Sequence, residues 1–260
     1  MLFVLKGKFN FAYSTNMVLS RLIIDIGNTF FKIAIFEGKK IIFQERVAGL
    51  EINRLKDILE KYDIKSSIIS AVKDYPDEID TFLISKHYHI TLSNSTAVPL
   101  NNMYKTPETL GKDRLALAVG AIKKFPRNNV LIIDAGTTIT YDIVTQQQKY
   151  LGGAISPGIN MRFKALNNFT GKLPLITQTK WVDIIGYNTE TSIQSGVLHG
   201  VIKEIDGVID EYKSRFDNLK VVVTGGDHIY FVKKLKNSIF ATPNLVLEGL
   251  NEILIFNESN

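Results

Sequence analysis

The chain has 260 residues, 45 % of them hydrophobic and 22 % charged, with a formal net charge of +5 and no cysteine. This is the profile of an ordinary soluble globular protein, and it excludes disulfides, thiolate metal sites and cysteine nucleophiles while suiting a reducing, cytoplasmic location. The lysines fall in short scattered clusters (Lys39-Lys40, Lys123-Lys124, Lys233-Lys234) rather than in the stripe a nucleic-acid partner would need, and no apolar run reaches the roughly 18 residues of a membrane span.

Residues 1–16, MLFVLKGKFNFAYSTN, make a poor signal peptide, because Lys6 and Lys8 interrupt the apolar stretch. With Met17 standing ahead of the first strand, they read as a dispensable extension. Leu22–Thr29 and Lys32–Phe36 then predict strand, tight turn and strand, with β-branched arms and glycine at the bend. Strands follow at 41–47 and 67–72, helices near 51–62 and 76–86, and short strands around 88–92. A helix at 112–125 keeps Leu115, Ala118, Val119, Ile122 and Phe125 on one face.

Leu131–Thr138 repeats Leu22–Thr29 at an offset of 109 residues, with six of eight positions identical. Two such hairpins, each opening half of the chain, indicate a duplication. The halves are 17–127 and 128–260, joined through Phe125-Pro126-Arg127-Asn128-Asn129, where Pro126 and the asparagines stop the helix. The second half continues with a strand at 150–155, a Pro157-Gly158 turn and a helix at 158–168. A long helix spans about 189–213, and Lys220–Thr224 is a buried strand ending in Gly225-Gly226. Gly196, Gly200 and Gly207 form a stripe on the long helix; at about 1 kcal/mol each relative to alanine, they imply close approach to another backbone. That backbone belongs either to the same domain or to a second subunit.

A turn of glycine with Thr or Asn points backbone N–H groups and hydroxyls at one place, which suits phosphate oxygens. The aspartate before each turn, Asp25 and Asp134, favours a phosphate only by holding a cation between them. One such hairpin is explained by turn hydrogen bonds alone; a pair, together with Gly225-Gly226, points to a nucleotide gripped from both sides. Thr109–Arg114 opens a helix, where Asp113 is placed for general-base work and Arg114 for a substrate carboxylate or phosphate. His87, His89, His199 and His228 show no metal-binding spacing, and Trp181 and Asp183 suggest no chemistry.

Several of these segments, in order, resemble the signature series of the type III pantothenate kinases. They are Asp25-Ile26-Gly27-Asn28-Thr29 with Lys32, Pro107–Arg114, Asp134-Ala135-Gly136-Thr137, Gly152–Gly158 and Gly186-Tyr187-Asn188-Thr189. The resemblance implies an α/β, duplicated ribonuclease-H-like fold of the actin-like ATPase kind, with the nucleotide between two similar halves. It implies phosphorylation of pantothenate by ATP in coenzyme A synthesis, by a homodimer that uses a monovalent cation (K⁺ or NH₄⁺) and Mg²⁺ carried with ATP. Carried across, Asp25, Ile26, Gly27, Asn28, Thr29, Phe30, Phe31, Lys32 and Thr137 bind ATP, and Asp134 ligates the monovalent cation. Tyr104, Gly111, Lys112, Asp113, Arg114 and Thr189 hold pantothenate, with Asp113 as proton acceptor. Phe30, Phe31 and Lys112 depart from the residues common in the family. The competing expectations are a sugar or carboxylate kinase of the same fold and a non-catalytic regulatory homologue that binds nucleotide.

Overall fold

The computed structural model describes residues 19–179 and 182–259; the extension over 1–16 and Trp181 lie outside them. Strand β1 (Ser20–Ile26) is buried at every position, its apolar centre Leu22-Ile23-Ile24 covered on both faces. It pairs antiparallel with β2 (Phe31–Glu37), and β2 pairs antiparallel with β3 (Lys40–Val47). On its other side β1 lies parallel to β4 (Ile64–Ala71), which lies parallel to β5 (Tyr88–Thr91). Helices α1 (Ile52–Lys61) and α2 (Glu78–Ile84) make the connections and bury Leu55, Ile58, Ile79 and Leu83.

The short strand β6 (Asn101–Asn102), a 3-10 turn at Pro107–Thr109 and helix α3 (Lys112–Lys124) lead to the second sheet. There β7 (Val130–Ala135), β8 (Thr138–Val144) and β9 (Lys149–Pro157) form an antiparallel meander. Helices α4 (Ile159–Asn168) and α5 (Thr189–Arg215) follow, then β10 (Lys220–Thr224), the single turn α6 (His228–Phe231), β11 (Phe240–Ala241) and helix α7 (Leu245–Glu258). The first sheet is ordered β3-β2-β1-β4-β5 and the second β6-β9-β8-β7-β10-β11. Leaving β6 aside, the two orders and strand directions are the same. This is the duplicated ribonuclease-H-like fold that the family resemblance implies, and the duplication itself is the one that the repeated hairpin predicts.

Alternation along the strands sorts the core into three layers. Ile23, Ala34, Phe36 and Ile68 of the first sheet, and Val130, Ile132 and Val144 of the second, face a shared central core built around α3 and α7. Leu22, Ile24, Ile33 and Ile35 face α1 and α2 on the outside of the first sheet. Leu131, Ile133 and Tyr141 face α4 and α5 on the outside of the second. The central layer is where the halves exchange material. Strand β6 pairs with β9 in the second sheet, whereas α7, last in the chain, packs back on β1 and β4. Arg21 on β1 holds Glu258 at the end of α7 through Nε at 2.9 Å and Nη2 at 2.7 Å. Helices α3 and α7 cross backbone to backbone: a Cβ on Gly249 would lie 1.8 Å from the Ala116 carbonyl oxygen, and one on Gly120 2.6 Å from that of Leu245.

The glycine stripe of α5 behaves differently. A Cβ at Gly196, Gly200 or Gly207 would meet nothing within 4 Å. Ile193, Val197, Val201, Ile205 and Ile209 take the inward face of the helix, which turns the three glycines outward. Packing inside the domain therefore does not account for them.

Candidate active site

Both hairpin turns sit at the carboxyl ends of the central strands, β1 and β7, and they face one another. The hydroxyls of Thr29 and Thr137 stand 3.5 Å apart across the cleft. In the first turn the Gly27 N–H donates to the Phe30 carbonyl at 3.2 Å, leaving Asn28 and Thr29 exposed at the tip. Ile26 is fully buried and anchors the loop from beneath. In the second turn the Gly136 N–H donates to the Thr138 carbonyl at 2.9 Å, and the Gly158 N–H to the Thr137 carbonyl at 3.1 Å. The Pro157-Gly158 turn therefore lies directly against the Thr137 loop.

The two aspartates occupy equivalent places with unlike partners. Asp25, 5 % exposed, is in register with Lys32, whose Nζ donates to Asp25 Oδ2 at 3.3 Å. Burial raises its carboxyl above the ordinary range, Lys32 pulls it down, and the negative charge of Asp113 pushes it up again. Asp134 is in register with Thr140, not with a lysine. It keeps partial access to the cleft, yet burial pushes it up to about 7; Lys32 opposes this, while Asp113, Asp25 and Asp142 add to it. Beside it, the buried Thr140 Oγ1 has no hydrogen-bond partner among the described residues. Gly225, at φ +90°, lets the β10 turn close over the site: a Cβ there would lie 2.4 Å from Asp134 Oδ1.

Asp113 couples electrostatically to both turn aspartates, so the three carboxyls share one region. It lies in the first turn of α3, after Gly111 at the N-cap and beside half-buried Lys112. Its Oδ1 accepts the Arg114 backbone N–H at 2.8 Å. Burial raises its carboxyl, the Arg114 N–H lowers it, and the charge of Asp142 raises it. Arg114, unlike half-buried Asp113, is buried, and it pairs with Asp142 on β8, Nη2 to Oδ1 at 2.7 Å. The Tyr104 ring lies 5.6 Å from the guanidinium. Thr189 joins none of these hydrogen bonds. It begins α5 and lines a groove of about 1110 Å³ between α4 and α5, with Pro157, Met161, Arg162 and Phe169.

Charge also gathers around the first turn from residues that carry no motif. Lys73, just past β4, donates to the Asn28 carbonyl at 3.2 Å and lies 4.7 Å from the centre of the Phe31 ring. Arg46 sits 4.4 Å over the Phe30 ring. The two departures thus differ in kind: Phe31 is 7 % exposed and belongs to the core, whereas Phe30 is 43 % exposed beneath an arginine. Lys73, Arg46, Thr140, Asp142 and Tyr150 are the residues that reading the sequence missed; strand register finds Thr140, opposite Asp134, and Arg46, opposite Lys32, whereas the others are found only by tertiary packing.

Comparison with known proteins adds the family. The family model described as type III pantothenate kinase matches residues 21–211. A type III pantothenate kinase of Christiangramia forsetii is 44 % identical over 246 residues, covering 92 % of this chain and 99 % of the relative. One from Phocaeicola vulgatus is 44 % identical, covering 91 % and 98 %, and one from Flavobacterium johnsoniae 42 %, covering 89 % and 96 %. Among solved structures, a Baf family protein from Campylobacter jejuni aligns with a TM-score of 0.59 at 20 % identity, over 92 % of this chain and 100 % of that one. A ROK family glucokinase from Streptomyces griseus aligns with a TM-score of 0.52 at 12 % identity, over 91 % and 99 %. The structural likenesses speak for the fold, and the sequence relatives for the family: the chain belongs to the type III pantothenate kinases.

Proposed function

We propose that the chain transfers the γ-phosphoryl group of ATP to the 4′-hydroxyl of pantothenate, using Asp113 as proton acceptor in the cleft between the Asp25 and Asp134 turns. The observation that carries this reading is the convergence of a half-buried carboxyl, raised above its ordinary range, with two phosphate-suited turns whose threonines stand 3.5 Å apart. The turn amides, Thr29, Thr137 and Lys32 bind the ATP phosphates. The hydroxyl oxygen attacks the γ-phosphorus as the bond to the β-phosphate oxygen breaks, ADP departs, and the hydroxyl proton passes to Asp113. Because the transition state is loose, Asp113 need be only a moderate base, and a carboxyl raised by burial is a better acceptor than an ordinary one. Arg114, with Tyr104, Gly111, Lys112 and Thr189, holds pantothenate, the guanidinium facing its carboxylate.

Asp134 suits a monovalent cation. It is a carboxylate in a crowded site without a lysine in register, and alongside lies the Thr140 hydroxyl, which has no partner among the described residues. K⁺ or NH₄⁺ bound there would supply positive charge against the phosphates, as Lys32 does at Asp25, and Mg²⁺ would arrive with ATP. The outward glycines of α5 and the groove beside them, where Phe169 is 88 % exposed, form the surface for a homodimer. The chain works as a cytoplasmic enzyme on small molecules; among the described residues no helix is long and apolar enough to cross a membrane.

An assay coupled to ADP release, run with and without pantothenate and with K⁺ or a large organic cation, tests the reading. Release that depends on pantothenate and K⁺ is expected. Nucleotide binding without turnover would favour a regulatory homologue, and turnover on a sugar instead would favour another kinase of the fold.

A further inference from the structure

Resting on the reading of Arg114 as the carboxylate holder, we infer that Asp142 is a positioning residue for substrate recognition: it aims the Arg114 guanidinium and is itself fixed by Tyr150. Asp142 is 0 % exposed, so it does not touch pantothenate itself; the substrate-binding side chain it holds is Arg114. Its carboxylate takes one edge of the guanidinium fork, receiving Nε at 3.0 Å and Nη2 at 2.7 Å on Oδ1, with a longer Nε bond of 3.3 Å to Oδ2. The Tyr150 hydroxyl donates to the same Oδ1 at 2.6 Å, which fixes the carboxylate from β9. A guanidinium carries five N–H groups in a rigid plane, so holding the Nε edge fixes where the Nη1 edge points. The Tyr104 ring stands 5.6 Å from the guanidinium.

Burying a carboxylate and a guanidinium together gains little over apolar residues of similar size. What the pair supplies is geometry. Arginine is a long side chain that otherwise loses rotamer freedom when it captures a carboxylate, and here that loss is incurred on folding rather than on binding. The arrangement also spans the duplication. Arg114 belongs to α3, the last helix before the second hairpin, while Asp142 lies on β8 of that hairpin. Thr140 and Asp142, two residues apart, share one face of β8, with Thr140 in register with Asp134 and Asp142 in register with Ile132. One strand face therefore serves the Asp134 site and aims the substrate arginine.

The test compares pantothenate with its neutral analogue, in which a primary alcohol replaces the carboxylate. Wild type, Arg114→Met, Asp142→Asn, the double variant and Tyr150→Phe are assayed by KM and kcat on both substrates. Arg114→Met is expected to abolish the preference for pantothenate. Asp142→Asn is expected to raise the KM for pantothenate about tenfold, leaving kcat and the KM for ATP within about threefold and the neutral analogue unaffected. The double variant should lose no more preference than Arg114→Met alone, because both substitutions remove the same interaction. If Asp142→Asn does not fold, Tyr150→Phe carries the test, with a KM increase for pantothenate alone of about two- to threefold. Equal losses on both substrates would make Asp142 a structural residue and overturn the inference. So would an unchanged preference in Asp142→Asn, or in Tyr150→Phe where the first does not fold. An unchanged preference in Arg114→Met would overturn the carboxylate role of Arg114 itself, and this inference with it.

Discussion

The two hairpin turns are copies of one motif, yet the residue opposite each aspartate differs. Lys32 on β2 stands in register with Asp25, and Thr140 on β8 stands in register with Asp134. The first copy carries its own cation, 3.3 Å from the carboxylate. The second leaves a carboxyl pushed up to about 7 beside a hydroxyl without a partner among the described residues. A duplicated strand pair thus holds one aspartate paired with a lysine and one whose register partner is a threonine, which is the difference behind the proposed division into an ATP turn and a cation site. A single register position makes the difference, and the rest of each hairpin can stay alike.

Asp113, which couples to both turns, should give the largest effect without disturbing either. Asp113→Asn is expected to lower kcat by about 10² to 10⁴, while ATP binding, followed by calorimetry, changes by less than about threefold. Loss of ATP affinity in parallel with turnover would place Asp113 in the nucleotide site instead. Next in size, Asp134→Asn should reduce kcat by roughly a hundredfold and remove any response to K⁺, measured as turnover across a K⁺ titration. A K⁺ response that survives would dissociate the ion from the second turn.

Transplanting the difference tests the comparison most directly. Thr140→Lys places an ammonium where the first copy has one, and turnover without K⁺ is expected to rise about five- to tenfold over wild type under the same conditions. The reverse change, Lys32→Met, should raise the KM for ATP by about tenfold through loss of a phosphate contact and of the Asp25 partner. The effect that sets in most gradually is in pH. Proton and cation compete for Asp134, and only the ionised carboxyl binds K⁺. The half-saturating K⁺ concentration should therefore climb as pH falls through about 7, by up to about tenfold per unit below it. A flat profile between pH 5.5 and 8 would mean that the cation is held elsewhere.

Much of this was legible in the chain itself. The repeat from Leu22 and Leu131 announced two matching sheets, since a buried strand, a glycine bend and a second strand are local features that need no distant partner to specify them. Asp113 and Arg114 were marked by their place at the start of a periodic helix. The outward orientation of Gly196, Gly200 and Gly207 was not legible, because a glycine stripe reads alike whether another backbone lies against it or nothing does. Nor was the return of α7 to the first sheet, which depends on a helix crossing at Gly120 and Gly249, two positions 129 residues apart.

By itself, the sequence determined the repeated hairpin and hence the duplication, and it marked the residues able to carry charge and protons, because these are written in spacing and side-chain chemistry; the fold class came from the resemblance that the ordered motifs carry. Tertiary structure alone decided which charges meet. Lys32 or Thr140 opposite an aspartate is a matter of strand register. The capture of Arg114 by a fully buried Asp142 depends on α3 lying across β8. Electrostatic energies fall steeply with separation and rise as water is excluded, so the roles of these charges were fixed only once packing had set both distance and burial.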